Sequence, residues 1–236
     1  MNFAGVTTLT FDCYGTLIDW ERGILTALRP LLARTGARSE EAVLRDFADR
    51  ESRQQAATPS ILYADLLTEV HGQIALHWGV ASDAAEDRRF GLSIGDWPPF
   101  PDTIAALTYL KQHFRLVILS NVDRASFQAT QARLGVDFDA IFTAQDIGSY
   151  KPDTRNFVYL LERLAEQGVG RGQILHVAQS LFHDHAPANA MGLRSVWIDR
   201  RADAGGWGAT VTPPDGVRYD ARFPSLTAFA QAHRDR

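Results

Sequence analysis

The sequence of 236 residues contains a single cysteine, Cys13, so no disulfide bond can form within the chain. No apolar run is long enough to span a bilayer, and the N-terminus lacks the charged and then apolar segments of a signal peptide. These absences predict no association with a membrane and a cytoplasmic location.

Positive charge is also scarce, because 24 Lys and Arg stand against 28 Asp and Glu and give a formal net charge of -4. A basic surface is the usual requirement for binding nucleic acid, so nucleic acid is not an expected partner. The hydrophobic content of 45% is that of a globular protein, and the length suits a main domain with an insertion. Assembly into a homodimer stays open at this stage.

Strand-like segments are missing from about Trp20 to Ile94, where apolar residues recur only at helical spacing. The proline-rich stretch from Trp97 to Pro101 that follows is a stiff connector. We therefore predict a helical cap domain over residues 20–95, inserted directly after the first strand. The core domain is then made of residues 1–19 and 96–236.

Elsewhere strands alternate with helices, which predicts an α/β fold with a parallel sheet covered on both faces. The predicted strands cover residues 6–11, 116–121, 140–143, 173–178 and 195–198, the last being the final strand of the core. The predicted helices between and after them cover about 102–113, 124–134, 150–167, 184–191 and 226–233. Asp102 is predicted to cap the first of these helices.

Polar residues follow the ends of four predicted strands, and the carboxyl ends of parallel strands meet at one edge of a sheet, where ligands bind. Any one of these residues has a plain structural explanation, such as a helix cap or a solvated charge. Together they predict an active site, and the residues are Asp12, Thr16, Ser120, Asn121, Lys151, Gln179, Ser180 and Asp184.

Four motifs in order make the chain resemble the haloacid dehalogenase superfamily of hydrolases. They are Phe11-Asp12-x-Tyr14-Gly15-Thr16-Leu17, Ser120-Asn121, Lys151-Pro152 and Val177-x-x-Ser180-Leu181-x-x-Asp184. The resemblance covers the whole chain and implies a Rossmann-like core in which Asp12 is the nucleophile.

Two positions favour one branch of that superfamily. The phosphatase branch usually has a second aspartate where Tyr14 stands, and an acidic magnesium ligand where the neutral Gln179 stands. The first motif is instead typical of L-2-haloacid dehalogenases, whose reaction uses no metal or other cofactor. Two alternatives stay open: a small-molecule phosphatase, which alone would need Mg²⁺, and a protein that kept the fold and binds a ligand without turnover.

On the dehalogenase hypothesis the substrate is a small carboxylate, and the resemblance implies a role for each residue. Asp12 attacks carbon, Thr16 aims it, and Asp184 positions or activates the water that cleaves the ester. The substrate carboxylate is held by Ser120, Asn121 and Lys151, with Tyr14 and Ser180 beside it, and Arg50 and Arg53 are the candidates for a cap arginine that helps eject the halide. Two departures from the dehalogenase pattern are Phe157, where a tyrosine is usual, and Ala178-Gln179-Ser180, where Ser-x-Asn is usual.

Overall fold

The computed structural model describes residues 1–236 and contains one sheet of six parallel strands. The strands are β1 (Thr8–Phe11), β2 (Arg115–Ser120), β3 (Ala140–Thr143), β4 (Ile174–Ala178), β5 (Arg194–Ile198) and β6 (Ala221–Phe223). Their order across the sheet is β3-β2-β1-β4-β5-β6. The strand order reverses direction at β1, which is where an open parallel sheet forms a crevice for a ligand. The predicted α/β, Rossmann-like fold is confirmed.

Ten α-helices accompany the sheet. They are α1 (Trp20–Leu32), α2 (Glu40–Ala57), α3 (Tyr63–Trp78), α4 (Ala84–Leu92), α5 (Thr103–Lys111), α6 (Arg124–Leu134), α7 (Ala144–Ile147), α8 (Arg155–Glu166), α9 (Ala186–Ala190) and α10 (Leu226–Arg234). None of them has the length and apolar content needed to cross a bilayer.

The sheet is buried on both faces, which explains why its strands are continuous apolar runs. Along β2, Leu116 and Ile118 join a core of 44 buried residues, which also includes residues of α5 and α10. The alternate residues Val117 and Leu119 point to the other face and join a second core of nine residues beneath α8.

No strand of the sheet comes from residues 20–95, which form helices α1 to α4. Apolar residues of these helices join the same core of 44 residues as those of β1. Two hydrogen bonds tie α3 and the loop before it to the strand ends: Ala64 N donates to Asp123 at 3.1 Å, and the hydroxyl of Tyr150 donates to the carbonyl of Ile61 at 2.5 Å. We propose that residues 20–95 are a cap domain and that residues 1–19 and 96–236 are the core domain.

Three details of the sequence-based prediction are wrong. The sheet does not end at β5, because β6 pairs beside it. Asp102 does not cap α5, since its carboxylate accepts two hydrogen bonds from Arg200, at 2.8 and 2.9 Å. The turn that carries Asp184 begins at Leu181 and is capped by Ser180, whose hydroxyl accepts from the backbone N–H of His183 at 2.9 Å.

Candidate active site

Asp12 follows β1 and is held on both of its carboxylate oxygens. Oδ2 accepts a hydrogen bond from the Thr16 hydroxyl at 2.7 Å, and that hydroxyl accepts from the backbone N–H of Gln179 at 2.9 Å. Oδ1 accepts from the ammonium of Lys151 at 2.9 Å. Thr16 in the loop after β1 and Lys151 together therefore fix the orientation of the Asp12 carboxylate before any ligand arrives.

The turn after Asp12 depends on a glycine. Gly15 has φ +90, and a Cβ on it would lie 3.0 Å from Nε1 of Trp20 and 3.1 Å from Oε1 of Gln179. A larger residue would meet both the left-handed conformation and this close approach. The small residue in the first motif is thus explained by the way the turn packs under Trp20.

Lys151 is the centre of the charged cluster, and its side chain is only 1% exposed. Its ammonium donates to Asp12 at 2.9 Å, to Oδ1 of Asp184 at 2.7 Å and to the carbonyl of Leu119 at 3.0 Å. These three contacts use the three hydrogens of an ammonium group. Lys151 consequently bridges two carboxylates and has no further hydrogen to offer.

The charges of this cluster shift the pKa of each member. Burial raises the pKa of Asp12, although Lys151 and the Thr16 hydroxyl oppose the shift. Burial would also raise the pKa of Asp184, but Lys151 and His176 together outweigh it and lower that pKa. For Lys151 burial acts to lower the pKa, and the two carboxylates outweigh it and raise the pKa. The shifts at Lys151 and Asp184 favour the charged forms of both groups, whereas burial works against the charged form of Asp12.

Asp184 lies in the turn after β4, and its two oxygens differ. Oδ1 accepts from Lys151 and is within 3.0 Å of Nε2 of His176, while Oδ2 is buried and has no hydrogen-bond partner in the protein. A buried acceptor left without a partner costs free energy, so such an atom marks a place for a bound water or substrate group.

Among the residues predicted to bind substrate, Ser120 has a hydroxyl without a partner, whereas the side-chain polar groups of Asn121 and Tyr14 bond to other residues of the protein. Ser120 is buried at the end of β2 and its hydroxyl has no partner, but it is not among the residues that line the cavity described below. The Asn121 side chain accepts from the backbone N–H of Lys151 at 2.7 Å and donates to the Lys151 carbonyl at 3.0 Å, so the amide positions Lys151. The Tyr14 hydroxyl is bonded to Thr130 at 2.6 Å, which leaves only its ring for the cavity.

A cavity lies between the strand ends and helices α2 and α3. Its lining residues are Asp12, Tyr14, Trp20, Glu51, Tyr63, Asn121, Val122, Lys151, Gln179, Ser180, His183, Asp184 and Thr210. Asp12, Lys151 and Asp184, which belong to three different motifs, thus share one wall. The structure brings the predicted catalytic residues together, with Thr16 bonded behind Asp12.

Arg50 and Arg53, the predicted cap arginines, are absent from the cavity wall. Arg50 donates to the carbonyl of Asp46 in its own helix at 3.0 Å, and the exposed Arg53 pairs with Asp49 at 2.9 Å. In this arrangement α2 turns Glu51, and neither arginine, to the cavity, and a leaving-group role for Arg50 or Arg53 stays a prediction.

Glu51 is buried at the cavity wall and was not identified from the sequence. Its Oε1 accepts from the Tyr63 hydroxyl at 2.9 Å and from Nε2 of Gln55 at 2.8 Å. Burial raises the pKa of Glu51 to about 7, while the bond from Tyr63 opposes the shift. The cap therefore presents a carboxyl group, rather than a guanidinium, to the site.

The neighbouring His183, Asp184 and His185 do not converge. Nδ1 of His183 lies 3.1 Å from the Ser180 hydroxyl, whereas Nδ1 of His185 lies 2.8 Å from the Ser195 hydroxyl. No group of three or more His, Cys, Asp or Glu side chains is arranged to hold a metal ion. Burial lowers the pKa of His183 to about 4, so it is neutral at pH 7, and its Nε2 has no partner.

A family model for haloacid dehalogenase-like hydrolases matches residues 6–187, which include all four motifs. The chain belongs to the haloacid dehalogenase-like hydrolase family. A curated relative, the (S)-2-haloacid dehalogenase 4A of Burkholderia cepacia, is 28% identical over 205 residues, which are 82% of this chain and 83% of the relative.

Solved structures share the fold of this hydrolase. A defluorinating L-2-haloacid dehalogenase has a TM-score of 0.79 and 22% sequence identity, with 99% of both chains covered. The L-2-haloacid dehalogenase of Xanthobacter autotrophicus with chloropropionic acid covalently bound also has a TM-score of 0.79, at 20% identity, covering 97% of this chain and 98% of the other. At these identities the likeness shows the fold.

The buried carboxyl of this hydrolase gives a prediction for stability. Because the pKa of Glu51 is raised to about 7 in the folded protein, folding takes up a proton between the ordinary carboxyl pKa of about 4.3 and pH 7. Stability falls as the pH rises through that window and is lowest above it. Glu51→Gln is always neutral, so its free energy of unfolding relative to wild type should rise by about 2 to 3 kcal/mol from pH 5 to pH 8.

Urea unfolding of both proteins at the two pH values measures this difference. Glu40→Gln is a matched control, because Glu40 is exposed in the first turn of the same helix. The control should show the same stability difference from wild type at both pH values. If Glu51→Gln also had the same stability difference from wild type at pH 5 and pH 8, the raised pKa of Glu51 would be contradicted.

Proposed function

We propose that this hydrolase removes halide from a small 2-haloacid through an ester on Asp12 and without a metal ion. The observation that carries the proposal is the Asp12 carboxylate, fixed by Thr16 and Lys151 and facing a cavity between the strand ends and the cap helices. A carboxylate so oriented is a nucleophile for carbon, because its attack needs no proton transfer.

In the first step an oxygen of Asp12 forms a bond to C2 of the acid, and the halide leaves with the electron pair of the carbon–halogen bond. Lys151 stabilises the ionised form of Asp12 before the attack. The Ser120 hydroxyl, which has no partner in the protein, and the backbone N–H of Asn121 are assigned to the substrate carboxylate. Lys151 adds positive charge nearby, although its own hydrogens are engaged.

In the second step water attacks the carboxyl carbon of the ester, which releases the 2-hydroxy acid and restores Asp12. Oδ2 of Asp184, which has no partner, is assigned to accept a hydrogen bond from that water. The lowered pKa makes Asp184 a weak base, so its role is to position the water. Of the two protons of the water, one is transferred to the alkoxide oxygen of the departing 2-hydroxy acid and the other is released to solvent.

The donors at the site do not suit an octahedral Mg²⁺. The two aspartates are bridged through Oδ1 by the same ammonium, at 2.9 and 2.7 Å. The side chain at position 179 is an amide, and its Oε1 accepts from the Thr210 hydroxyl at 3.4 Å. Mg²⁺ requires several oxygen ligands at about 2.1 Å, with anionic ligands preferred.

We therefore expect turnover to be independent of added metal. Halide release from a panel of 2-haloacids should stay within about twofold in excess chelator, since no step needs a Lewis acid. Phosphate release from a panel of phosphate esters, measured with and without Mg²⁺, is the comparison. Phosphate release that requires Mg²⁺, with no halide release, would contradict the proposed function and favour the phosphatase alternative.

A further inference from the structure

The cavity wall has more carboxyl groups than cationic groups. Asp12, Glu51 and Asp184 face it with three carboxyl groups, and Lys151 is its only Lys or Arg residue. All three ammonium hydrogens of Lys151 are engaged by protein oxygens. No cationic hydrogen is therefore free on this wall to hold a departing halide.

Glu51 is the one carboxyl on the cap side of the cavity. The donors Tyr63 and Gln55 both use its Oε1, so Oε2 has no hydrogen-bond partner in the protein. Because Glu51 lines the cavity, Oε2 is left for a group bound there. The two donors also fix the orientation of the carboxyl plane. A fixed plane is needed if Oε2 is to point at a bound group.

The surroundings of Glu51 favour its uncharged form. Burial is the main cause of a pKa raised to about 7. Tyr63 bonds Glu51, Tyr150 packs against Tyr63, and Arg50 is adjacent in α2. The other titratable or charged groups on the cavity wall are Asp12, Tyr14, Lys151, His183 and Asp184. Lys151, the one ammonium of the cavity wall, bonds Asp12 and Asp184 rather than Glu51.

We propose that Glu51, in its uncharged form, donates a hydrogen bond from Oε2 to the departing halide and so forms the leaving-group subsite. The inference rests on the proposed function and adds a residue to it. As Asp12 bonds to C2, the halide takes the electron pair of the carbon–halogen bond, and Glu51 keeps its proton while hydrogen-bonding the anion. Tyr63 and Gln55 are positioning residues for this carboxyl.

The sign of the pH dependence follows from the charge. Above its pKa Glu51 is an anion, which repels a halide and offers no hydrogen. Halide release should thus fall as the pH rises through about 7. Removing a donor aimed at developing negative charge commonly costs about 10²-fold or more in kcat, so the decline should reach at least about tenfold by pH 9.

Glu51→Gln and Glu51→Ala separate donation from shape. In Glu51→Gln the two donors at Oε1 place the amide oxygen there, which leaves Nε2 as a donor toward the cavity at every pH. This variant should keep kcat within about fivefold at pH 6 and lose the alkaline decline, since an amide does not titrate there. Glu51→Ala should have low kcat at every pH, while the control Glu40→Gln behaves as wild type.

Chloride binding gives a readout that does not need turnover. The excess ³⁵Cl NMR line width of chloride should be larger for wild type at pH 6 than at pH 9, independent of pH for Glu51→Gln, and small for Glu51→Ala.

Wild-type halide release with a flat profile across this range, or equal chloride binding by all three proteins, would overturn the inference and leave the proposed function standing. Absence of halide release together with the expected chloride pattern would overturn the proposed function and keep Glu51 as an anion subsite.

Discussion

Replacing Asp12 by asparagine is expected to reduce halide release by at least about 10⁴-fold, the scale seen when a catalytic nucleophile is lost. The amide has nearly the same shape but lacks the anion that attacks carbon. It can still accept from the Thr16 hydroxyl, while Lys151 keeps its contacts with Asp184 and the carbonyl of Leu119. The loss should therefore appear in kcat with the fold intact, as circular dichroism and urea unfolding can verify.

Isotope labelling tests the same step in wild type. A single turnover in ¹⁸O-water should yield unlabelled hydroxy acid, because the product oxygen comes from Asp12 and the water oxygen stays on that side chain. Mass spectrometry should find the label in the peptide that contains Asp12, and later turnovers should release it. Label in the first product, or near-native turnover by Asp12→Asn, would show that water attacks the substrate directly.

The core and its catalytic edge could be predicted from sequence for a physical reason. Strands buried on both faces are continuous apolar runs, so β1, β2 and β4 can be predicted from the sequence. Because parallel strands end at one edge, residues that follow different strands meet there. That rule brings Lys151 to the same edge as Asp12 and Asp184, although 139 and 33 residues of chain separate it from them.

Strand β6 was not predicted, because strands can be recognised from apolar runs only where they are buried. β6 has only three residues, Ala221–Phe223, and none of them is fully buried. A short strand at the edge of a sheet lacks the apolar run that marks a central strand. Its pairing with β5 comes from tertiary packing, which the local sequence does not encode.

Glu51, the carboxyl on the cap side of the site, was not identified from the sequence for a related reason. Helix α2 is polar around most of its circumference, and adjacent residues on a helix point about 100° apart. The one local signal is spacing, because Glu51 follows Phe47 by four residues and so continues the buried face of α2, which Arg50 and Arg53 do not join. The decisive contact is the bond from Tyr63 in the next helix. The hydroxyl of Tyr14 was similarly unpredictable, because its partner Thr130 is 116 residues away.

Lys151→Met should destabilise the protein more than any other substitution at the site. The methionine is apolar and of similar length, so the core keeps its volume while two buried carboxylates lose their counter-charge. Removing one partner of a buried ion pair costs about 3 to 5 kcal/mol at neutral pH. Urea unfolding measures this loss, and turnover should fall as well, because the ionised form of Asp12 is no longer stabilised.

A surface lysine gives the matched control. Lys111 pairs with Asp139 at 2.6 Å, and their side chains are 33% and 30% exposed. Solvent screens such a pair, so Lys111→Met should cost less than about 1 kcal/mol. Similar losses for the two lysine variants would show that the buried cluster is not held by charge.

The pH dependence of the Lys151→Met loss separates charge from shape. In wild type the lowered pKa of Asp184 adds stability above the ordinary carboxyl pKa, and that stability is lost as the pH falls below it. Without Lys151, burial is opposed only by the Thr16 hydroxyl at Asp12 and by His176 at Asp184. Both carboxyls then take up protons at higher pH, so the variant should recover stability relative to wild type between pH 8 and pH 5. Adding Asp184→Asn should also restore stability at pH 8, because it removes one of the two unpaired charges. A loss that is constant with pH and unchanged by Asp184→Asn would mean that packing, and not the bridge between the two aspartates, makes Lys151 necessary to the fold.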